Sequence, residues 1–264
     1  MNFVNDSNYF DQHFLIDNEI IMTFIKSAKL NKKDIVVEIG PGKGNISKLI
    51  ANRVKKLYCI ELDCRLKPYL SKLEKQFKNV EIIYDNALTV NLPICNKIVT
   101  SVPYSIIEPL INKLIHYHID IYMIMGKKYV DNVINNQITK LSLLTNCFYN
   151  ARKIIDITPE KFEPKPRVMS SIIELKFKAV ENVNNDTQLI FRYMYYFKNK
   201  KVKNALIESL INSSRIKDKI LTQKSSKNIV SKLNITNNIL NKTFEEISNN
   251  ELKQLYEEVE KIIL

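Results

Sequence analysis

Glycine is scarce in this 264-residue chain, with four in all, and tryptophan is absent. Cysteine and histidine are few: Cys59, Cys64, Cys95 and Cys147 show no CxxC spacing, and His13, His116 and His118 do not cluster with them. A zinc site or a disulfide framework needs such side chains at short, regular intervals, so neither is expected, and no metal is implied. No stretch approaches the roughly 18 to 20 apolar residues of a membrane helix. The opening residues, MNFVNDSNYFDQHF, lack the cationic start and apolar run of a secretory signal. The expectation is a cytoplasmic protein with no membrane partner. Acidic residues are in deficit, 28 against 40 Lys and Arg, which leaves a net charge of +12 and a pI near 9.3. Such an excess favours polyanions, because binding releases their condensed counterions, and nucleic acid is the leading partner.

The chain is 45% hydrophobic and long enough for one substantial domain with a smaller one. Up to about residue 178, short β-branched runs alternate with helical patterns, as in a parallel sheet covered by helices. IVVEI (35–39), KLYCIEL (56–62), VEIIY (80–84), KIVTSV (97–102) and IYMIM (121–125) read as strands, apolar enough to be buried on both faces. Two further β-rich segments, near 146–157 and 170–177, should form a closing antiparallel pair. Between them the prolines Pro159, Pro164 and Pro166 of TPEKFEPKPRVMS preclude regular structure. Beyond the polar linker ENVNNDTQ only helical patterns follow. The sequence thus predicts an α/β fold with helices on both faces of a Rossmann-like sheet (residues 1–180) and a small all-α C-terminal domain (184–264).

Three of the four glycines, Gly40, Gly42 and Gly44, fall directly after the strand IVVEI. A chain turning sharply from strand to helix beneath a bound cofactor tolerates no β-carbon there. The dinucleotide fingerprint would require glycine at 45, where the chain has Asn45. Gly40-Pro41-Gly42-Lys43-Gly44 has instead the G-x-G-x-G form of S-adenosylmethionine enzymes, which makes the expected sheet that of a methyltransferase. Glu61, ending the next strand, is placed to accept from both ribose hydroxyls, with Asp63 as the following N-cap. Asp85 and Asn86, after the third strand, should face the cofactor's adenine.

At the end of the fourth strand stands Ser101-Val102-Pro103-Tyr104. The lone pair of an adenine amine is delocalised into its ring. An acceptor oxygen on residue 101 and the carbonyl of Val102 would take the amine's two hydrogens and favour a more tetrahedral nitrogen. Pro103 stiffens the turn, and Tyr104 offers a face on which an extruded base can stack. Asn91-Leu92-Pro93-Ile94 has a similar spelling but precedes the fourth strand and lacks the aromatic.

Taken with DQHFLID (11–17), VVEIGPGKG (36–44), YCIELD (58–63), DNAL (85–88), SVPYSI (101–106), FEPKPRVMSS (162–171) and FKNKKVKNAL (197–206), the chain resembles the ribosomal RNA adenine dimethyltransferases over nearly its full length. It is most similar to the housekeeping branch, which dimethylates two adjacent adenines near the 3′ end of small-subunit rRNA during ribosome assembly. The resemblance implies S-adenosylmethionine as cofactor, S-adenosylhomocysteine as product, and action on rRNA in the immature small ribosomal subunit; a monomer is expected. It also implies that His13 and Leu15 lie over the cofactor, that Gly40 contacts its amino-acid moiety, Glu61 the ribose and Asn86 the adenine, and that Ser101 receives the substrate amine. Departures are Ser101 for the usual Asn, Asn86 for Asp, and Gly126-Lys127-Lys128-Tyr129 for a Gln/Glu-containing stretch, which adds positive charge on the substrate side. A binding factor that keeps the fold without transferring methyl groups is the alternative. For RNA, Lys165 and Arg167 on the proline-rich loop are candidate contacts, as are Lys198, Lys200, Lys201 and Lys203, read as part of a helix of the second domain.

Overall fold

The structure is a computed structural model that describes residues 12–264. Asp11 of the DQHFLID segment, and the residues before it that bear on targeting, lie outside the described residues. In chain order the elements are β1 (Phe14–Leu15), α1 (Asn18–Ser27), β2 (Ile35–Ile39), α2 (Asn45–Ala51), β3 (Lys56–Glu61), α3 (Lys67–Gln76), β4 (Val80–Tyr84), β5 (Lys97–Ser101), α4 (Ile107–Leu114) and β6 (Asp120–Gly126). They continue with α5 (Lys127–Ile134), α6 (Lys140–Phe148), β7 (Tyr149–Ile157), β8 (Phe162–Glu163), β9 (Ser170–Phe177), α7 (Asp186–Tyr196), α8 (Val202–Ile216), α9 (Gln223–Lys232), α10 (Asn237–Asn241) and α11 (Asn249–Val259). They form two compact units, residues 12–131 with Ala151–Phe177, and Asn132–Asn150 with Lys178–Leu264.

The first unit is built on a seven-stranded sheet in the order β4-β3-β2-β5-β6-β9-β7. The five strands read from sequence pair in parallel, and β9 runs antiparallel to β6. Asp156 bonds to Ser171 and Arg152 to Glu174, partners whose numbers run in opposite directions, as the expected antiparallel closing pair requires. Along β2 both Val36 and Val37 are fully buried, and so are Ile121 and Tyr122 on β6. Near-continuous apolar runs are therefore explained by burial of both faces. Val36, Leu57, Cys59 and Tyr122 join Phe24 and Ile25 of α1, Ile50 of α2 and Leu70 of α3 in one core. Asp17 caps α1 by accepting from the amides of Glu19 and Ile20, each at 3.0 Å.

The chain order reverses between β2 and β5, which lie side by side. In open α/β sheets this switch point leaves a crevice beyond the carboxyl ends of the strands. Thr100 ties the two strands there through a 3.1 Å bond to the Ile39 carbonyl.

The second unit is helical. Its turns carry the capping chemistry that the polar Asn/Thr/Ser stretches supply: Asn185 caps α7, and Thr222 and Ser248 form capping boxes with Ser225 and Glu251. Phe191 stacks on Tyr256 at 5.5 Å, and Tyr195 meets Phe244 edge-on at 4.9 Å. Arg192 is buried among them, donating to the carbonyls of Lys178 and Cys147 with its guanidinium 4.7 Å from the Phe148 ring.

Three local readings are corrected. The proline-rich stretch is not wholly irregular: Pro159–Lys161 form a 3-10 turn and β8 pairs with β1. The strand expected from 146 begins at Tyr149, because the Leu-rich segment before it, which carries Cys147, completes α6. Lys198, Lys200 and Lys201 are not helical. α7 ends at Tyr196, and the loop after it is held by Phe244 N donating to Lys198 O and Val202 N to Lys242 O, which leaves Lys203 alone of the four on a helix.

Candidate active site

At the switch point lies a cavity of about 400 Å³, lined by segments 12–15, 39–43, 60–62, 85–87 and 101–106, with Asn45, Ile46, Ile124 and Phe162. This volume falls in the usual range for small-molecule and cofactor sites, roughly 300 to 1,000 Å³. Of the residues singled out from sequence, His13, Leu15, Gly40, Gly42, Glu61, Asp85, Asn86, Ser101, Val102, Pro103 and Tyr104 all face it. The glycine turn and the Ser101 corner therefore open into one space.

Gly40 joins them. Its φ is +72°, and a β-carbon on it would stand 2.9 Å from Cγ1 of Val102 and 3.4 Å from the Ser101 carbonyl. Gly42, at φ +58°, has no room for a side chain because the Phe14 ring lies 2.8 Å from where a β-carbon would be. Gly44 differs from the expectation: it does not line the cavity. Its left-handed φ of +82° starts α2, and its amide donates to the Pro41 carbonyl, so it shapes the turn rather than the pocket floor.

Glu61 is 5% exposed, and each of its oxygens accepts one backbone amide, Oε2 from Gly42 at 3.1 Å and Oε1 from Asp63 at 2.9 Å. Burial raises its carboxyl above the ordinary range, against the pull of those amides. A carboxylate oxygen accepts more than one hydrogen bond, so both keep acceptor capacity toward the cavity. Asp63 instead turns to Arg65, holding it through Nε and Nη2 while capping the turn that begins at Cys64.

Asn86 departs from the simple expectation of an accepting amide oxygen. Its Oδ1 already accepts the Leu88 amide at 2.9 Å, which orients the amide group and leaves its NH₂ to offer. Asp85, whose Oδ1 takes the Asn86 amide, supplies the neighbouring acceptor. Lys113 braces this loop through the carbonyls of Ala87 and Val90.

The wall above the glycine turn comes from residues far apart in sequence. β1 pairs with β8, setting Leu15 opposite Phe162, and His13 Nδ1 lies 2.7 Å from the Pro164 carbonyl. Phe162 thereby lines the cavity: FEPKPRVMSS and DQHFLID contain Phe162 and Phe14, but the sequence assigns neither residue to the site, nor Ile124. No local pattern reports a pairing across so many residues. The Ser101 side chain, the last of β5, makes no hydrogen bond among the described residues.

The family description "Ribosomal RNA adenine dimethylase" matches residues 4–250. The chain belongs to this family of methyltransferases. A Methanococcus aeolicus protein named "probable ribosomal RNA small subunit methyltransferase A" is 32% identical over 263 residues, 96% of each chain. A Methanococcus maripaludis protein of the same name is 32% identical over 216 residues, covering 78% of this chain and 82% of its own. Among solved structures, a dimethyladenosine transferase from Plasmodium falciparum superposes with a TM-score of 0.63 at 22% identity, over 92% of this chain and 95% of its own. The 23S rRNA methyltransferase ErmE superposes at 0.61 and 18% identity, over 94% of this chain and all of its own. At these identities the two structures establish the shared fold: a Rossmann-like sheet with flanking helices and a helical C-terminal region.

Within this family member, the candidate RNA contacts are unequal. Lys198 pairs with Glu245 at 2.8 Å and Lys200 with Glu208 at 2.6 Å, so both charges are locally balanced. Lys165 is 3.7 Å from Glu160, Arg167 is exposed on the same loop, and neither lines the cavity. Lys127, expected to add charge on the substrate side, is matched by Asp131 and Asp156. Helix α9, by contrast, contains Lys224, Lys227 and Lys232, all exposed, and no acidic residue. Among the described residues, no three or more His, Cys, Asp or Glu side chains are grouped to hold a metal ion, and no helix is long and apolar enough to cross a membrane.

Proposed function

We propose that the chain transfers methyl groups from S-adenosylmethionine to the exocyclic N6 amine of adenine in ribosomal RNA, dimethylating two adjacent adenines near the 3′ end of small-subunit rRNA. The observation that carries this reading is the single cavity in which Gly40 packs directly against Val102, so that the glycine turn and the Ser101 corner are adjacent walls. S-adenosylmethionine supplies an electrophilic methyl group on a sulfonium sulfur and leaves as S-adenosylhomocysteine.

The residues present fit that cofactor. Glu61 accepts from the ribose diol with the capacity its backbone partners leave. Asp85 accepts from the adenine amine while the Asn86 NH₂ donates to a ring nitrogen. His13 and Leu15, held by β8 and the proline-rich loop, close the space above. On the substrate side, Ser101 Oγ and the Val102 carbonyl take the two hydrogens of the target amine. Tyr104 presents its ring to the extruded base, a contact worth about 1 to 3 kcal/mol. The chain needs no dedicated base, because the methylated amine can release its proton to solvent. Alignment of amine and methyl carries the catalysis.

Lys165 and Arg167 beside the cavity, and Lys203 with the acid-free helix α9 in the helical unit, are the side chains we assign to RNA phosphates. The reading takes the chain as a monomer acting in the cytoplasm on the immature small subunit. It is tested by incubating the protein with methyl-labelled S-adenosylmethionine and small subunits lacking the modification, then mapping labelled adenines by mass spectrometry. Dimethyladenine at neighbouring positions supports it. Tight RNA binding without label transfer would favour a non-catalytic assembly factor.

A further inference from the structure

Tyr104 leaves the Pro103 turn with its ring beside the last residue of β6. A β-carbon on Gly126 would lie 3.6 Å from both Cδ2 and Cε2 of that ring, an ordinary van der Waals distance, so the ring stands about one methyl group away from this end of β6. At its far end the Tyr104 hydroxyl shares a hydrogen bond with Oγ of Ser170. Ser170 is the first residue of β9, is 0% exposed, and is the register partner of Gly126 across the β6–β9 ladder. One rung of the sheet thus flanks the ring at Gly126 and binds its hydroxyl through Ser170.

Ser170 does not line the cavity, whereas Tyr104, which its side chain binds, does. Its neighbour Ser171 is engaged elsewhere, with Asp156. A hydroxyl buried in the sheet needs a partner. A tyrosine held only by ring contacts is freer to rotate about its side-chain bonds than one also tethered through its hydroxyl.

We propose that Ser170 is a positioning residue for methyl transfer: by holding the Tyr104 hydroxyl, it fixes the plane of the ring against which the target adenine stacks. The inference rests on the function proposed above and adds a residue to it. Alignment at the reacting atoms dominates such a reaction, and a misplacement of about 1 Å can cost on the order of 100-fold. Loosening the ring should therefore lower the transfer rate while leaving cofactor affinity alone.

The test is a double-mutant cycle in full-length protein, with single-turnover methyl transfer to unmodified small subunits and S-adenosylmethionine affinity both measured. Ser170→Ala and Tyr104→Phe should each slow transfer by about tenfold with cofactor affinity within about twofold of wild type. In the Tyr104→Phe background Ser170→Ala should have no further effect, and Ser170→Thr, which keeps the hydroxyl, should recover most of the rate. With 3-fluorotyrosine incorporated, the resonances that disappear in Tyr104→Phe identify this ring. They should show separate ring orientations in wild type and an averaged signal in Ser170→Ala. Additive losses, or an unchanged rate and unchanged fluorine spectrum in Ser170→Ala, would overturn the inference. Absence of transfer by the wild-type protein would instead count against the proposed function, and the fluorine spectra would still report whether Ser170 holds the ring.

Discussion

The Gly42 amide and the Glu61 carboxylate are joined by a 3.1 Å hydrogen bond across the tips of two adjacent parallel strands. The same carboxylate holds the Asp63 amide on its other oxygen. The proposed ribose acceptor therefore also fixes the shape of the glycine turn. Glu61→Gln must point its NH₂ at one of two backbone N–H groups, a donor facing a donor, at a cost of about 1 to 3 kcal/mol. Calorimetry should show S-adenosylmethionine binding weakened by about tenfold or more, and thermal melts should show a matching loss of stability. A variant with native affinity would remove Glu61 from the cofactor site.

Gly40→Ala combines a strained φ of +72° with a β-carbon 2.9 Å from Val102 Cγ1. We expect a stability loss of about 1 to 3 kcal/mol together with a fall in transfer rate, since Val102 belongs to the proposed substrate corner. Adding Val102→Ala should recover part of the rate through the freed space, and little of the stability, because the backbone strain stays. Recovery of neither would mean that the two corners do not communicate through this contact.

Much of this site is legible in the sequence because its signals are local. A glycine cluster at a strand end, an acidic residue closing the next strand and a Ser-x-Pro-Tyr turn after the fourth all keep their meaning without knowledge of the partner strands. What escapes depends on distant pairing. Phe162 reaches the cavity only because β8 pairs with β1, and Ser170 meets Tyr104 only through the register of β9 on β6. Gly44 reads with its neighbours as cofactor-binding, yet a left-handed helix start calls for glycine as readily as a ligand does. The spacing of the lysines after Phe197 suggests a helix. The loop around them is held instead by bonds to Lys242 and Phe244, far along the chain, which no local period encodes.

The ion pairs at Lys198 and Lys200 and the lack of acidic residues on α9 set an order for RNA binding. Reversing Lys224, Lys227 and Lys232 to Glu should reduce the slope of log affinity against log salt, by about 0.7 to 0.9 for each phosphate that is no longer neutralised. Reversing Lys198 and Lys200 should change it less, because Glu245 and Glu208 already offset those charges. Equal slopes for wild type and the α9 variant would exclude that helix from the footprint.

Glu38, on β2 two residues before Gly40, is 2% exposed, and its burial pushes the carboxyl up to about 7, although the Cys59 thiol donates to it at 3.7 Å. The folded form then holds a proton that the unfolded chain, with an ordinary carboxyl near 4.5, gives up. Stability from this group is unaffected below the unfolded value, falls as pH rises between the two values, and is lowered by on the order of 3 kcal/mol above the folded one. Glu38→Gln should therefore gain little in thermal stability at about pH 5 and most at about pH 8. A difference that does not change with pH would show that Glu38 is ionised throughout.

The most direct measurement is a structure of the protein bound to S-adenosylhomocysteine and a short RNA carrying the target adenine. The account predicts the ribose hydroxyls on Glu61, the sulfur between the glycine turn and Ser101, and the adenine against Tyr104 with its amine within hydrogen-bond reach of Ser101 Oγ. An adenine bound away from this corner, or a cofactor seated outside the cavity, would contradict it.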